Sequence, residues 1–138
     1  MNVIVTVDDA YGMMFHHRRL SRDRVLNQKI LDICQHTILR MSSYSASLFP
    51  DLPDYVSVSD DFLEEADNGD ICFVEDRALL PYADKIDTMY LFFWNRHYPS
   101  DFKLDYIPSE HSMTLQYTKD FKGHSHPDIR LEIWQKAL

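Results

Sequence analysis

The chain has 138 residues, the usual size of one domain, and 45% of them are hydrophobic. This apolar content is enough to offset the entropy lost on folding, which excludes an intrinsically disordered chain. The 22 acidic and 14 basic side chains give a formal net charge of -8, which disfavours broad binding to nucleic acids or anionic membranes. We predict a single domain over residues 1–138 and leave its oligomeric state open.

Cysteine usage and apolar segments indicate the compartment. Cys34 and Cys72 each lie within an apolar run, LDICQ and DICFVE, where a cysteine is usually buried and reduced. The sequence shows no signal peptide and no run approaching the ~18 to 20 apolar residues of a membrane span. We therefore expect a cytoplasmic protein without membrane association.

The first two thirds of the chain indicate alternating strands and helices. VIVTV is β-branched and nearly all apolar, which predicts a strand buried on both faces. Ser21 is the predicted N-cap of a helix that continues to Cys34 with apolar residues at helical spacing. TILRM, YVSVS and ICFV are predicted strands, SSYSASLF is a predicted short helix, and Asn68-Gly69 ends the segment before ICFV.

The last third changes character. A short helical stretch at residues 78–83 precedes TMYLFFW, the most apolar segment and the predicted central strand. SMTLQYT and IRLEIWQ alternate like antiparallel strands joined by the polar loop KGHSHPD. The predicted fold class is therefore single-domain α/β, with a mixed, mostly parallel sheet flanked by helices and an antiparallel C-terminal strand pair.

The order of these elements, together with several strings, resembles dihydrofolate reductase across nearly the whole chain. VIVTVDDAYGMM is similar to the family's first strand and the start of its mobile active-site loop, and LSRDRVL to the start of its substrate-binding helix. ILRMSSYSASLF resembles the strand and helix that bind the cofactor's phosphates. LPYADKIDTMYLFFW and SHPDIRLEIWQK resemble the central and closing strands. The resemblance places Asp23 at the position of the catalytic carboxylate.

Several departures from the family pattern concern the ligand anchors. Glu75 and Asp76 stand where the family has a glycine pair that lets the backbone approach the nicotinamide cofactor. Ser43 stands where it has an arginine for the cofactor's phosphates, and PDLPDYVS lacks the basic residue that binds the folate carboxylate. The resemblance therefore implies that the NADPH and folate anchors are lost, so we predict no cofactor and no active reductase.

A second resemblance concerns the strings RRLSRDR, CFVED and WNRHYPSD. They resemble a group of small Firmicutes proteins often named ribonuclease Z, which implies a bacterial source. Ribonuclease Z itself has a metallo-β-lactamase fold and an HxHxDH zinc motif in a much longer chain. The string His124-Ser-His126-Pro-Asp128 echoes that motif but is followed by Ile129, and we interpret it as a solvated hairpin loop.

The candidate ligand site centres on HHRRLSRDR, residues 16–24, which concentrates basic side chains in an acidic protein. Arg18, Arg19 and Arg22 suit a phosphate or carboxylate ligand, because arginine binds such groups in a bidentate manner. His17 is a candidate general acid or base. The alternative is a basic surface that forms salt bridges with the chain's own acidic residues.

A reductase-like fold brings further residues to the same cleft, near the carboxyl ends of the central strands. Asp23 is then a candidate base or hydrogen-bond acceptor, Arg96 a candidate anion ligand and Trp94 a platform for a flat ring. Glu75 and Asp76 also approach the cleft, as ligand-binding residues or a site for a hard cation, although adjacent acids at a strand end are more often solvated. We predict no metal site, and the sequence gives little support for a cysteine or serine nucleophile.

Three functions follow as hypotheses. The first is a pseudoenzyme that binds a small anionic or heterocyclic ligand, or a protein partner, in this cleft. The second is a phosphodiesterase or ribonuclease-type hydrolase acting on RNA or nucleotides, with His16 or His17 as acid or base. The third is a scaffold that binds only proteins.

Overall fold

The computed structural model describes residues 1–137. Its strands, in chain order, are β1 (Asn2–Val7), β2 (Gly12–Phe15), β3 (Arg18–Arg19), β4 (Leu39–Met41), β5 (Val56–Val58), β6 (Ile71–Phe73), β7 (Thr88–Phe93), β8 (Phe102–Lys103), β9 (Met113–Phe121) and β10 (Ile129–Lys136). The α-helices are α1 (Arg24–Ile33), α2 (Ser43–Ala46) and α3 (Phe62–Glu65), and 3-10 turns occupy Leu80–Lys85 and Pro108–Glu110. Within this described range, no helix has the length and apolarity needed to span a membrane.

Seven strands form the main sheet, in the order β5-β4-β6-β1-β7-β10-β9. The five strands from β5 to β7 are parallel, and β10 and β9 add an antiparallel pair at one edge. The predicted fold class is confirmed. All of the segment TMYLFFW except Trp94 forms β7, which lies between β1 and β10 in the sheet interior, as its apolar character predicts.

The core fills both faces of the sheet, and β1 contributes to each. Val3 and Val5 pack on one face and Ile4 on the other, all with no exposed surface. On the second face Leu26 and Ile30 of α1 pack in the same cluster as Ile4. Burying one such side chain stabilises the fold by roughly 1.5–3 kcal/mol, so these contacts hold the start of α1 against the sheet.

The first turn of α1 differs from the sequence prediction. Asp23, and not Ser21, is the N-cap residue, because its Oδ1 accepts hydrogen bonds from the N–H groups of Val25 (2.9 Å) and Leu26 (3.2 Å). Both residue types are good N-caps, so helix periodicity alone did not separate them. Ser21 lies two residues before the cap and its hydroxyl is bonded elsewhere.

A second, three-stranded sheet in the order β3-β2-β8 was not predicted. It replaces the open loop that the resemblance implied after β1. His16 and His17, with φ of 50° and 62°, form the two-residue turn between β2 and β3, which suits the twist of a tight hairpin. The hairpin turns Arg18 and Arg19 back toward the main sheet.

Both cysteines are buried free thiols, as predicted from their apolar surroundings. Burial raises the pKa of the Cys34 thiol to about 12 and that of Cys72 to about 11. Neither thiol is therefore an activated nucleophile at neutral pH.

Candidate functional site

The parallel strands end at one edge of the main sheet, and a cavity of about 690 Å³ opens there. The segments around it are β3 itself and the residues that follow β3, β4 and β7 or precede β10. Its lining residues are Arg18, Arg19, Ser21, Arg22, Tyr44, Arg96, Tyr98, Ser125 and His126. We call it the arginine cavity. The carboxyl ends of parallel strands are the usual place for ligand sites in open α/β sheets.

The arginine cavity is basic, in contrast to the acidic protein around it. None of its lining residues is an aspartate or glutamate. Within residues 1–137, the guanidinium groups of Arg18, Arg22 and Arg96 have no carboxylate within 4.0 Å. These three cations are therefore available to an anion that enters the cavity.

Arg19 differs from the other three because it is paired. Its Nε and Nη2 donate to the two oxygens of Glu75 at 2.8 and 3.1 Å, and the guanidinium lies 4.5 Å from the centre of the Tyr44 ring. Ser45 Oγ also donates to Glu75, at 2.9 Å. Burial acts to lower the pKa of Arg19, but the Glu75 carboxylate outweighs it and raises the pKa. Glu75 therefore fixes the position of one cavity wall.

Asp23 lies beside the cavity as a buried carboxylate with no exposed side-chain surface. Five donors surround its two oxygens. They are the N–H groups of Val25, Leu26, His124 and Ser125 and the ring nitrogen His126 Nδ1, at distances of 2.9 to 3.2 Å. Ser125 Oγ adds a longer contact of 3.3 Å. Asp23 therefore joins the start of α1 to the loop before β10, and we call this arrangement the Asp23 hub.

The donors set the ionisation of Asp23. Burial acts to raise its pKa, but hydrogen bonds from His124, His126, Ser125 and Leu26 outweigh burial and hold the pKa well below the ordinary 3.8. The hub leaves no room for another atom at Gly123, where a Cβ would lie 2.5 Å from Asp23 Oδ2. A glycine is therefore required where this loop passes the carboxylate.

His126 connects the Asp23 hub to the arginine cavity. Its Nδ1 lies 2.9 Å from Asp23 Oδ2, and its Nε2 lies 2.9 Å from Ser21 Oγ and 3.5 Å from the Tyr98 hydroxyl. The ring is 5% exposed and rests against Trp94, with 4.7 Å between ring centres. Since an ionised carboxylate only accepts, Nδ1 carries a proton, and in the tautomer with this single ring proton Nε2 accepts from Ser21. The expectation of a solvated loop was wrong for His126.

Five residues assigned to the cleft from sequence do not line the arginine cavity. They are Asp23 and Glu75, whose contacts are given above, and Trp94, Asp76 and His17. Trp94 is 3% exposed, so the partner of its ring is His126 and not a ligand. Asp76 is ion-paired with Arg77 at 2.6 Å. His17 and Asp76 line a separate hollow of about 330 Å³ together with Met14, Asp101 and Phe102; its volume is about half that of the arginine cavity.

A second cavity of about 540 Å³ lies next to the arginine cavity and shares Arg22 and Ser125 with it. Part of its wall is apolar and comes from the C-terminal half of α1 and the segment after α2. The apolar lining residues are Leu31, Leu48, Phe49 and Pro50. We call it the apolar cavity. Together the two cavities suit a ligand with an anionic group and an apolar body.

Comparisons with known proteins bear on the fold. No family model matches the sequence, and no curated protein matches it. Among solved structures, the chain is similar to dihydrofolate reductase from Enterococcus faecalis complexed with NADP(H) and RAB-propyl, with a TM-score of 0.64 over 99% of this chain and 96% of that chain. The protein has a dihydrofolate reductase-like fold. The sequence identity is 11%, so the comparison establishes the dihydrofolate reductase-like fold alone.

Within this dihydrofolate reductase-like fold, four of the candidate residues share one cavity, namely Arg18, Arg19, Arg22 and Arg96. Sequence reasoning missed the other side chains that line it. They are Ser21, Tyr44, Tyr98, Ser125 and His126. The arginines were found because three of them are close in sequence, whereas His126 lies 103 residues from Asp23, and no local pattern connects the two. Residues 1–137 contain no group of three or more side chains suited to hold a metal ion.

Proposed function

We propose that this protein binds a small anionic ligand in the arginine cavity, with an apolar or heterocyclic part of the ligand in the apolar cavity. The observation that carries the proposal is a cavity wall on which Arg18, Arg22 and Arg96 have no carboxylate partner within residues 1–137, with no acidic residue among the lining side chains. Neighbouring cations repel one another, and an anion that contacts several guanidinium groups relieves this repulsion while accepting bidentate hydrogen bonds.

We further propose that the protein does not use NADPH. Glu75 stands at the position of the family's glycine pair, and its carboxylate accepts hydrogen bonds from Arg19 and Ser45. At the start of α2, Ser43 donates from its N–H and hydroxyl to Asp60 Oδ1 at 3.1 and 3.0 Å. A carboxylate at this position opposes the binding of a phosphate by charge repulsion.

The phosphodiesterase alternative with His17 has less support. His17 lies on the β2-β3 turn and lines a hollow with Asp76 and Asp101, where two carboxylates repel a phosphate. A protein partner remains the other candidate occupant of the cleft, and the binding experiment separates it from a small ligand.

The test is the binding of inorganic pyrophosphate, measured by calorimetry at constant ionic strength. We expect saturable binding that weakens by about tenfold in each of Arg18→Ala, Arg22→Ala and Arg96→Ala, because each loses a charged hydrogen bond. Arg130→Ala is the matched control, since Arg130 is exposed and paired with Asp120 on the edge strands. Absence of binding, or equal weakening in Arg130→Ala, would contradict the proposal and favour a protein partner.

A parallel thermal-shift experiment tests the cofactor. Millimolar NADPH should leave the melting temperature unchanged, whereas pyrophosphate should raise it with saturation. If NADPH raises the melting temperature with saturation, and does so equally in the control variant Arg130→Ala, the protein binds the cofactor and this second proposal is wrong.

A further inference from the structure

Three side chains form a continuous hydrogen-bonded chain from the Asp23 hub into the arginine cavity. Asp23 Oδ2 is 2.9 Å from His126 Nδ1, and His126 Nε2 is 2.9 Å from Ser21 Oγ. Asp23 is buried, His126 is 5% exposed, and Ser21 is half-buried and lines the cavity. The order acid, imidazole, hydroxyl, with the acid on Nδ1 and the hydroxyl on Nε2, is the geometry that activates a serine nucleophile.

We propose that Ser21 is a nucleophile activated by His126 and positioned through Asp23, and that the protein hydrolyses a carboxylic ester that carries an anionic group. The choice of substrate rests on the proposed function, since the cations of the arginine cavity select the anionic group. In this assignment Ser21 and His126 are catalytic residues and Asp23 is a positioning residue.

The first half of the reaction forms an acyl-enzyme. Ser21 Oγ attacks the carbonyl carbon while its proton moves to His126 Nε2, and the carbonyl electron pair moves onto oxygen. When this tetrahedral species collapses, the bond to the leaving alcohol oxygen breaks, and the alcohol takes the proton from His126. The products are an ester of Ser21 and a free alcohol.

The second half releases the acid. Water attacks the Ser21 ester and gives a proton to His126, and the proton returns to Ser21 Oγ as the acyl group leaves as a carboxylic acid. One ester and one water become one acid and one alcohol, with no redox change. Throughout the reaction Asp23 stays ionised and accepts the hydrogen bond from His126 Nδ1–H, which stabilises the imidazolium that forms.

The cavity wall supplies the charge that this chemistry needs. Arg22 follows Ser21 in the chain and lines the same cavity, and Arg96 lines it from the segment after β7. Guanidinium groups in a cavity stabilise the oxyanion that develops during attack and also hold a carboxylate or phosphate elsewhere on the substrate. Since no acidic side chain lines the cavity, an anionic ester is favoured over a neutral or cationic one.

The hydrogen-bonded chain has a purely structural alternative, in which it only ties the loop before β10 to the start of α1. Covalent labelling separates the two. A fluorophosphonate reacts with an activated serine by forming an Oγ–P bond with release of fluoride. We expect a single adduct on the wild-type protein, located on Ser21 by peptide mass spectrometry. This measurement needs no variant, so it stands even if a substitution impairs folding.

Hydrolysis of two matched esters tests the substrate class. Mono-4-nitrophenyl succinate and 4-nitrophenyl butyrate have the same acyl length and leaving group, but only the first carries a carboxylate. We expect kcat/KM to be about tenfold higher for the succinate ester, and Arg96→Ala to remove this preference. Ser21→Ala should lower kcat/KM for both esters by about 1,000-fold. Ser57→Ala, a half-buried serine on β5, is the matched control and should leave both rates unchanged.

The outcomes separate this proposal from the proposed function. If pyrophosphate binds but Ser21 is not labelled, or hydrolysis survives in folded Ser21→Ala, the nucleophile is overturned and anion binding stands. If Ser21 is labelled but the succinate ester is not preferred and pyrophosphate does not bind, the anionic substrate class is overturned together with the proposed function.

Discussion

The Asp23 hub and the arginine cavity are adjacent, but the charged groups of the first have partners within the protein and most of those of the second do not. Asp23 is buried and receives five hydrogen bonds from the chain itself. Arg18, Arg22 and Arg96 face an open cavity without a carboxylate partner among the described residues. A charge that the protein satisfies internally contributes to the stability of the fold, whereas a charge left unsatisfied is available to a ligand. Each region therefore responds differently to substitution.

The largest effect on stability is expected for Asp23→Asn. The amide keeps one acceptor oxygen but directs an NH2 group at donors that need a carboxylate, so several buried hydrogen bonds are lost. We expect the free energy of unfolding to fall by about 3 kcal/mol, measured by urea denaturation. Asp54→Asn is the control, because Asp54 is exposed. Equal stability of the two variants would show that the hub contributes nothing to the fold.

Acidification should reproduce part of this loss in the wild-type protein. The pKa of Asp23 is lowered in the folded state, so its contribution is present above the ordinary value of 3.8 and is lost as the pH falls through the folded pKa. Asp8 also has a lowered pKa: burial acts to raise it, but backbone N–H groups of Tyr98, Gly12 and Ala10 outweigh burial. The stability difference between wild type and Asp23→Asn should therefore shrink below about pH 4, while the Asp8 contribution affects both proteins. A difference that stays constant down to pH 2 would contradict the ionised hub.

The sequence predicts those parts of the two regions that are formed by residues close together in the chain, and misses those formed by residues far apart. β1 and β7 were predicted because long apolar runs identify buried strands. β3 and β8 have two residues each, too few for any periodicity, so the small sheet and its hairpin were missed. The arginines were predicted from one local cluster. The Asp23 hub was not predicted as a structural element, since three of its five donors come from a loop 101 to 103 residues away.

A smaller effect is expected at the loop that surrounds the carboxylate. In Gly123→Ala the new Cβ meets Asp23 Oδ2 at 2.5 Å and Ile129 Cδ1 at 2.8 Å, so the loop must move away from the hub. We expect a loss of about 2 kcal/mol in the free energy of unfolding, with weaker fluorophosphonate labelling of Ser21 because His126 moves with the loop.

Gly69→Ala is the control for this prediction, since no atom lies within 4 Å of its Cβ position and only its φ of 91° opposes the change. It should leave the labelling rate unchanged.

The smallest effect on stability is expected at the arginine cavity. Arg18→Ala, Arg22→Ala and Arg96→Ala each remove a cation that has no carboxylate partner among the described residues, so the free energy of unfolding should change by less than about 0.5 kcal/mol. The sign of this change is informative. A slight increase in the free energy of unfolding indicates that repulsion between neighbouring cations has been relieved, whereas a decrease indicates that the arginine forms an ion pair in solution. Arg19→Ala is the matched comparison, because Arg19 is paired with buried Glu75 at 2.8 Å and its removal leaves that carboxylate without its cation. If Arg19→Ala changes the free energy of unfolding as little as the other three substitutions do, the ion pair with Glu75 does not stabilise the fold. The distinction between arginines that stabilise the fold and arginines that are available to a ligand is then wrong for Arg19.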